Sequence, residues 1–404
     1  MEKRKELFSK IAYYCFYIAV VIEVLMVLVD KSALVNPIEG RLFQLTFFLF
    51  LIKVCLTRYS RKEYLVIAMF LGLGAISYFV TGRNEIVRIV MFIAACKDID
   101  MKKCLKIVFY LTLFGCLLIM LLSVFGIGGD MALTQEYGRG SVETRYVLGM
   151  GHPNALQCMV WALTVLSLYL YGEKMKWYGY LAVFGINTFF FLLTDSKTSL
   201  LAAVFAIFYE GIYRFVNNKT IKRICNISGI LITLGSVAIS VFIAGTAYHV
   251  YNYDWGIDNS ALALFLKKLD IALTGRIRSL TGNTRWEGTI QTWKLFSEPA
   301  NNYYFDMGWI RLFYWYGVIP ACIFIVLLFV LMWYCIRKKD YMAFVMMVSF
   351  AVYSIVEAHA VSVYLARNYV LFLFGMYWVN IVNTRDGKGL VSNRTDERIQ
   401  NEII

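Results

Sequence analysis

The sequence has few charged residues, and this scarcity excludes a soluble globular protein. Charged residues make up 17% of its 404 residues, whereas ordinary soluble domains carry about 25%. Apolar residues make up 60% of the chain, with a mean hydropathy of +0.62, and a compact soluble fold could not keep that much apolar surface from water. Helices of about 20 residues can expose the same surface to lipid. The composition therefore predicts an all-α, polytopic membrane protein.

Several other features are absent, and each absence narrows the function. The nine cysteines show no paired spacing, so the sequence predicts neither a disulfide framework nor a metal site. No Gly-rich phosphate loop occurs between a strand and a helix, so we expect no nucleotide-binding domain and no cofactor. The apolar run 11–29 contains Glu23 and is followed by no small-x-small cleavage site, which predicts a retained span rather than a signal peptide.

Apolar runs of spanning or near-spanning length recur along the chain. We predict about twelve transmembrane helices, at 11–29, 42–57, 64–80, 86–96, 104–126, 153–171, 178–194, 198–216, 224–247, 309–334, 341–359 and 364–382. The run 86–96 is short and carries Arg88; as a re-entrant or interfacial helix it would change the count by one. Residues 1–382 are predicted to form one integral-membrane helical domain, and 383–404 a polar cytoplasmic tail.

The basic residues give the predicted spans an orientation. Lysine and arginine number 40 against 27 acidic residues, a net charge of +13 that would suggest nucleic acid in a soluble chain but reflects topology here. Basic clusters fall in every second connection, at 3–10, 58–62, 97–106, 174–176, 214–223, 337–339 and 385–398. The short connections between them hold only Lys31, Arg41, Arg83, Lys197 and Arg367. This asymmetry predicts both termini in the cytoplasm, an even number of spans and no nucleic-acid partner.

Two connections on the predicted outer face are long and differ in composition from the spans. They cover 127–152 and 248–308. The second is rich in tyrosine and tryptophan and shows helical periodicity over 262–273. Connections of this length are usually functional or disordered, and this one is too aromatic for disorder. We expect these extracytoplasmic loops to include a lid or a binding element.

Polar candidates for a site lie in two segments before predicted spans. Arg145, His152 and Asn154 lead from the first long loop into a span. They form either an ordinary helix entry or a cluster at the outer mouth of a cavity. Asp195 and Lys197 occupy a very short outer hairpin, where they either pair and cap the next helix or line an outward-facing site.

Three arginines lie close together in the second long loop. Arg276, Arg278 and Arg285 fall within ten residues, next to Trp286. The planar guanidinium of arginine can bind two phosphate oxygens at once. Three neighbouring arginines therefore suit an anion better than a neutral solute. The alternatives are a helix with a solvated basic face, or one that rests on anionic lipid headgroups.

Two further charged pairs lie near the outer ends of the last spans. Asp306 and Arg311 are five residues apart and either bond each other or a substrate. Glu357 and Arg367 belong to the last outer turn, together with His359. Ionisable groups at membrane depth are costly and are therefore functional candidates, although Glu357 and Arg367 could instead pair as a clamp between the last two spans.

The order of these segments resembles a known family, the bacterial integral-membrane polymerases that join lipid-linked oligosaccharide repeat units and share a superfamily with the O-antigen ligases. The resemblance covers most of the chain. It rests on Lys97-Asp-Ile-Asp100-Met-Lys102-Lys103, Arg145…Gly149…His152-Pro-Asn154, Asp195-Ser-Lys197-Thr198, Thr274-Gly275-Arg276, Phe305-Asp306-Met307-Gly308 with Tyr316-Gly317-Val-Ile, and Glu357. Met307 stands where the family usually has asparagine. The ligases' usual His-Asn pair near the last long loop is absent, which favours a polymerase.

The resemblance implies a transfer between two lipid carriers. A growing glycan would pass from one undecaprenyl diphosphate to the sugar of an incoming lipid-linked unit, at the outer face of the bacterial cell membrane and without a metal or nucleotide sugar. The implied partners are the undecaprenyl-diphosphate-linked oligosaccharide, membrane lipids, a flippase and chain-length regulator proteins. Two other functions stay open: an O-antigen-type ligase of the same superfamily, and a flippase for lipid-linked oligosaccharides.

The implied reaction assigns roles to the polar candidates. Cations would stabilise the leaving diphosphate, and a base would take the proton of the acceptor hydroxyl. The predicted catalytic residues are Arg276, Arg145, His152, Asp306 and Glu357; the candidate bases are the last three, followed by Asp195 and His359. The predicted diphosphate- or glycan-binding residues are Arg278, Arg285, Asn154, Asp195, Lys197, Trp286, Arg311 and Arg367.

Overall fold

The described chain is mainly helical, which confirms the predicted all-α class. The computed structural model describes residues 2–137, 141–251, 260–281 and 287–383. Its α-helices are α1 (Glu2–Lys31), α2 (Glu39–Leu56), α3 (Arg61–Thr81), α4 (Glu85–Ala95), α5 (Met101–Val124), α6 (Pro153–Tyr171), α7 (Trp177–Thr194), α8 (Lys197–Phe215), α9 (Lys219–Tyr251), α10 (Ala261–Ala272), α11 (Gly308–Tyr316), α12 (Val318–Lys338), α13 (Tyr341–Tyr353) and α14 (Tyr369–Asn383). The predicted tail, apart from residue 383, lies outside the described residues.

Several of these helices have the length and the surface of membrane spans. Eight are long and apolar enough to cross a bilayer: α1, α3, α5, α6, α7, α8, α9 and α12. Large apolar side chains project from them, such as Leu65, Phe79 and Leu192, which are 72%, 84% and 75% exposed. Such surfaces are costly in water, whereas lipid covers them without cost. The chain is therefore a multi-pass membrane protein.

Three further apolar helices are short. α4, α13 and α14 have 11, 13 and 15 residues, fewer than the roughly 20 that cross the hydrocarbon core. They pack inside the bundle, where neighbouring helices bury almost every residue of α13. The predicted number of twelve spans and their orientation stay predictions.

The predicted ends of the last two spans are wrong. The sequence predicts 341–359 and 364–382, but α13 ends at Tyr353 and α14 begins only at Tyr369. Residues 354–368 form a connection with two short 3-10 turns instead. This connection places Glu357, His359 and Arg367 outside the helices.

A buried ion pair fixes the connection 354–368 to the bundle. Glu23 of α1 and Arg88 of α4 approach to 3.2 Å. Arg88 also donates to the carbonyl of Val363 (2.9 Å), and the Glu23 carboxylate accepts from the backbone N–H of Leu365 (3.2 Å). A buried charge requires such a partner. The pair therefore positions the connection through its backbone.

The predicted span 309–334 is divided at Gly317. Its φ of 96° lies in the left-handed region, where glycine is favoured. A Cβ there would lie 2.6 Å from the carbonyl oxygen of Leu295, because the segment around Leu295 crosses the chain at this point. The N–H of Val318 donates to the carbonyl of Lys294 at 2.8 Å. As a result α11 is a separate, buried helix of nine residues.

A β-hairpin departs from the all-α expectation. Strands β1 (Ala132–Glu136) and β2 (Val142–Tyr146) pair antiparallel, with Leu133 opposite Arg145. The hydroxyls of Thr134 and Thr144 lie 2.8 Å apart on one face of the pair. This hairpin occupies the first long connection, where the sequence predicts only a loop.

Candidate functional site

A polar pocket of about 200 Å³ lies where the long connections meet the helix ends. Seven of the predicted site residues line it: Arg145, His152, Asn154, Asp195, Lys197, Arg276 and Asp306. They come from four separate segments of the chain. The pocket also contains Gln135, Glu136 and Tyr137 of the hairpin and Ser196, Thr198, Ala272 and Thr274.

Two helices begin at this pocket. α6 starts at Pro153 and α8 at Lys197, and residues of both first turns line the pocket wall. The first backbone N–H groups of a helix have no partner within the helix, and the helix dipole places partial positive charge there. Ser196, at the start of α8, makes no side-chain cap bond. Both helix dipoles therefore favour an anion in the pocket. At α6, Pro153 has no N–H and the N–H of Asn154 is bonded to His152, so of the two helices α8 alone begins without a side-chain cap.

Arg276 is the most firmly held cation of the pocket. It is 5% exposed. Its Nε donates to the carbonyl of Val356 (2.8 Å), and its Nη1 donates to the carbonyl of Leu273 (3.0 Å) and to the hydroxyl of Thr274 (2.7 Å). Its Nη2 donates to the Glu357 carboxylate (2.8 Å). Of its five N–H groups, one on Nη2 is left without a partner among the described residues.

The turn that carries Arg276 directly follows the C-terminal end of α10. Thr274 and Gly275 both adopt positive φ, at 56° and 77°, which reverses the chain after the helix. The buried carboxylate of Asp270 accepts from the N–H of Ile277 at 2.7 Å. Asp270 therefore fixes the backbone at Ile277, directly after Arg276.

Glu357 lies behind Arg276 rather than in the pocket wall. It is buried, and its ion pair is with Arg276 and not with Arg367. Burial and the nearby Asp306 raise the pKa of Glu357, while the charges of Arg276 and Arg367 oppose that rise. The geometry makes Glu357 a positioning residue for Arg276 and leaves Asp306 as the carboxylate that lines the pocket.

Gly308 allows α11 to touch the segment that carries Glu357. A Cβ at Gly308 would lie 2.6 Å from the Glu357 carbonyl oxygen and 3.1 Å from that of Ser354. Because these are backbone atoms, we expect Gly308→Ala to lower the free energy of unfolding by about 1–3 kcal/mol and to reduce activity by shifting Glu357. Thermal unfolding of the purified protein in detergent measures the first effect. Gly245→Ala is the control, since a Cβ there meets nothing within 4 Å; equal unfolding temperatures for both variants would contradict the prediction.

His152 caps the start of α6 with its ring. Its Nδ1 accepts from the backbone N–H of Asn154 at 3.1 Å, which leaves the proton of the neutral ring on Nε2. Burial, together with the charges of Arg145 and Arg276, lowers the pKa of His152, against the opposing effect of Asp306. His152 is therefore a neutral hydrogen-bond donor in this geometry, which weakens its candidacy as the base.

The lowered pKa of His152 predicts a pH dependence of stability. His152 has a higher pKa in the unfolded chain than in the folded protein, so the unfolded chain binds the second ring proton more tightly. The stability that neutral His152 contributes is therefore complete above the unfolded pKa. It is lost as the pH falls toward the folded value. We expect the unfolding temperature of His152→Gln to change less between about pH 7 and about pH 5 than that of the parent protein. Melting curves of both proteins at the two pH values measure this difference. An equal change in unfolding temperature for the variant and the parent would contradict the prediction.

Arg145 is neutralised within the pocket wall. It is buried, bonds the Glu143 carboxylate and lies 3.7 Å from that of Asp195. Its guanidinium stacks over the Tyr137 ring at 4.1 Å, and that ring meets His152 edge-on at 5.6 Å. Arg145 thus shapes the pocket wall more than it adds charge to it.

The hairpin residues of the pocket are those that the sequence analysis missed. Gln135, Glu136 and Tyr137 belong to β1 or follow it. The period-two alternation in 142–146, which follows the glycines at 138 and 140, is a hairpin signal that could have indicated them.

The structure places three predicted binding residues outside the pocket: Arg278, Arg311 and Arg367. Arg278 is exposed to the surroundings. Arg311 stacks over Tyr304 at 3.8 Å and forms no ion pair with Asp306, and Arg367 lies in the connection 354–368. Arg285 and Trp286 lie outside the described residues.

No cluster of metal ligands occurs in the described part of the chain. A search for groups of three or more His, Cys, Asp or Glu side chains close enough to hold an ion finds none there. Comparisons with protein-family models, curated proteins and solved structures find no match to this chain.

Proposed function

We propose that the chain is a membrane glycosyltransferase that polymerises oligosaccharide repeat units carried on undecaprenyl diphosphate. One observation carries the proposal: a buried, preorganised guanidinium, two helix N-termini and a carboxylate line the same pocket. The cationic groups suit a diphosphate leaving group, and the carboxylate suits an attacking hydroxyl. Products of this reaction are capsular, O-antigen or exopolysaccharide chains.

The reaction forms one bond and breaks one bond. The acceptor hydroxyl attacks the anomeric carbon of the donor glycan and passes its proton to Asp306. The bond between that carbon and the diphosphate oxygen breaks, and the electron pair leaves with the diphosphate. The free N–H of Arg276 and the helix N-termini stabilise the charge that develops there. Tyr137 offers an aromatic face to a sugar ring.

The same proposal includes a topology. Twelve crossings with both termini in the cytoplasm would put the pocket at the outer face of a bacterial cell membrane, as the distribution of basic residues predicts. The pocket then faces glycan outside the cell, while the lipid part of the substrate stays in the bilayer. A flippase would deliver the substrate, and a chain-length regulator would act on the product.

Deletion of the gene tests the proposed function. Surface glycan and lipid-linked intermediates are measured in the same cells. We expect single repeat units to accumulate on the outer leaflet and the long polymer to be lost. Units trapped on the inner leaflet would show a flippase, and long polymer left on its carrier would show a ligase; either result would overturn the proposal.

A further inference from the structure

A second cationic cluster lies next to the pocket, around Trp315. The guanidinium of Arg83 lies 4.1 Å from the centre of the Trp315 ring, and that of Arg311 lies 4.7 Å from it. Two like charges thus share one aromatic ring. Arg311 also stacks over Tyr304, whose side chain is 59% exposed.

Arg311 is buried with most of its hydrogen-bonding capacity unused. It is 2% exposed, and its Nε and Nη2 have no hydrogen-bond partner among the described residues. Glu85 forms an ion pair with Arg83 at 3.7 Å. Arg276 is equally buried but makes four hydrogen bonds. A buried, unpaired cation is costly, so the cluster has the character of a site that an anion completes.

An apolar groove of about 390 Å³ leads to this cluster. It runs between α3, α4, α12 and α14, and apart from Ser362 and Tyr316 its lining side chains are apolar. Leu312 and Tyr316 of α11 form part of its wall. Arg311 and Trp315 of the cluster are the chain neighbours of these two residues, so the cationic cluster and the groove meet at α11.

The pocket and the cluster share Asp306. Its carboxylate acts electrostatically on Arg276 and His152 in the pocket and on Arg311 in the cluster. A ligand that reached from the groove through the cluster to the pocket would therefore be apolar at one end, anionic in the middle and polar at the other end.

We propose that the groove and the cluster hold the lipid half of the donor: a polyprenyl chain in the groove, and the phosphate next to that chain at Arg311 and Arg83. The sugar-side phosphate then lies at Arg276, and the anomeric carbon lies near Asp306. The identity of the lipid rests on the proposed function. A single chain with two phosphates fits one groove and several guanidinium groups better than a two-chain phospholipid with a single phosphate does.

Lipid binding to the purified, full-length protein tests the inference. Native mass spectrometry measures the binding of undecaprenyl diphosphate and, separately, of phosphatidylglycerol. Arg311→Gln removes the charge, and Ile323→Trp fills the groove. We expect each variant to bind undecaprenyl diphosphate at least tenfold more weakly and phosphatidylglycerol as before. Leu231→Trp, on the exposed surface of α9, is the matched control for the added ring and should bind both lipids normally.

Unfolding temperatures distinguish a loss of lipid binding from a loss of folding. Because Arg311 is a buried charge without sufficient partners, Arg311→Gln should unfold at the parent temperature or above it. Unchanged undecaprenyl diphosphate binding in both variants would overturn the inference, and so would an equal loss of phosphatidylglycerol. The gene deletion tests the polymerase proposal independently, since a flippase could bind this lipid in the groove and a polymerase could act without it.

Discussion

Replacement of Arg276 is expected to stop polymer formation. Its guanidinium is held by four hydrogen bonds and keeps one N–H for the pocket. Removal of one preorganised donor to a developing negative charge typically slows a reaction by about 10²–10³-fold. We expect Arg276→Gln to reduce polymer by at least about that factor, as measured by glycan length in cells that express the variant at the parent level.

Two controls separate catalysis from folding in this experiment. Arg276→Gln leaves the buried Glu357 without its ion-pair partner, which is itself destabilising. The double variant Arg276→Gln/Glu357→Gln restores neutrality, so it should recover stability but not activity. Arg278→Gln changes an exposed arginine two residues away and should leave polymer length normal. Normal polymer in the stable double variant would remove Arg276 from the site.

The pocket could be predicted from the sequence to a large extent. In a chain with so few charges, polar residues concentrate where the backbone leaves the membrane, and the predicted spans place those positions at a common end. Arg145, His152, Asp195, Arg276 and Asp306 come from four segments and meet in one pocket. Sequence order and the alternation of spans were sufficient for this grouping.

The role of each charge could not be predicted, because it depends on contacts between distant segments. Glu357 lies behind Arg276 since Gly308 lets α11 approach its backbone. The break at Gly317 follows from the passage of the segment around Leu295, and nothing in the local helical pattern records that crossing. Arg83 shares the ring of Trp315 although the two lie far apart in sequence.

Replacement of Asp306 by asparagine is expected to have the other large effect. The amide keeps the shape of the carboxylate but cannot accept a proton, and loss of a general base costs about 10²–10⁴-fold in rate. The measurement is the rate of glycan transfer between lipid-linked units by purified protein in detergent. Asp195→Asn is the matched control, since Asp195 faces Arg145; we expect it to retain most of the rate.

Donor binding should respond to Asp306→Asn in the opposite direction from the rate. The charge of the Asp306 carboxylate acts on both cations that would hold the diphosphate, Arg276 and Arg311. Because it repels the phosphates, its neutralisation should leave the affinity for undecaprenyl diphosphate unchanged or make it tighter. A slow variant that binds its donor well is the signature of a base, whereas weaker binding together with the lost rate would show that Asp306 only maintains the pocket.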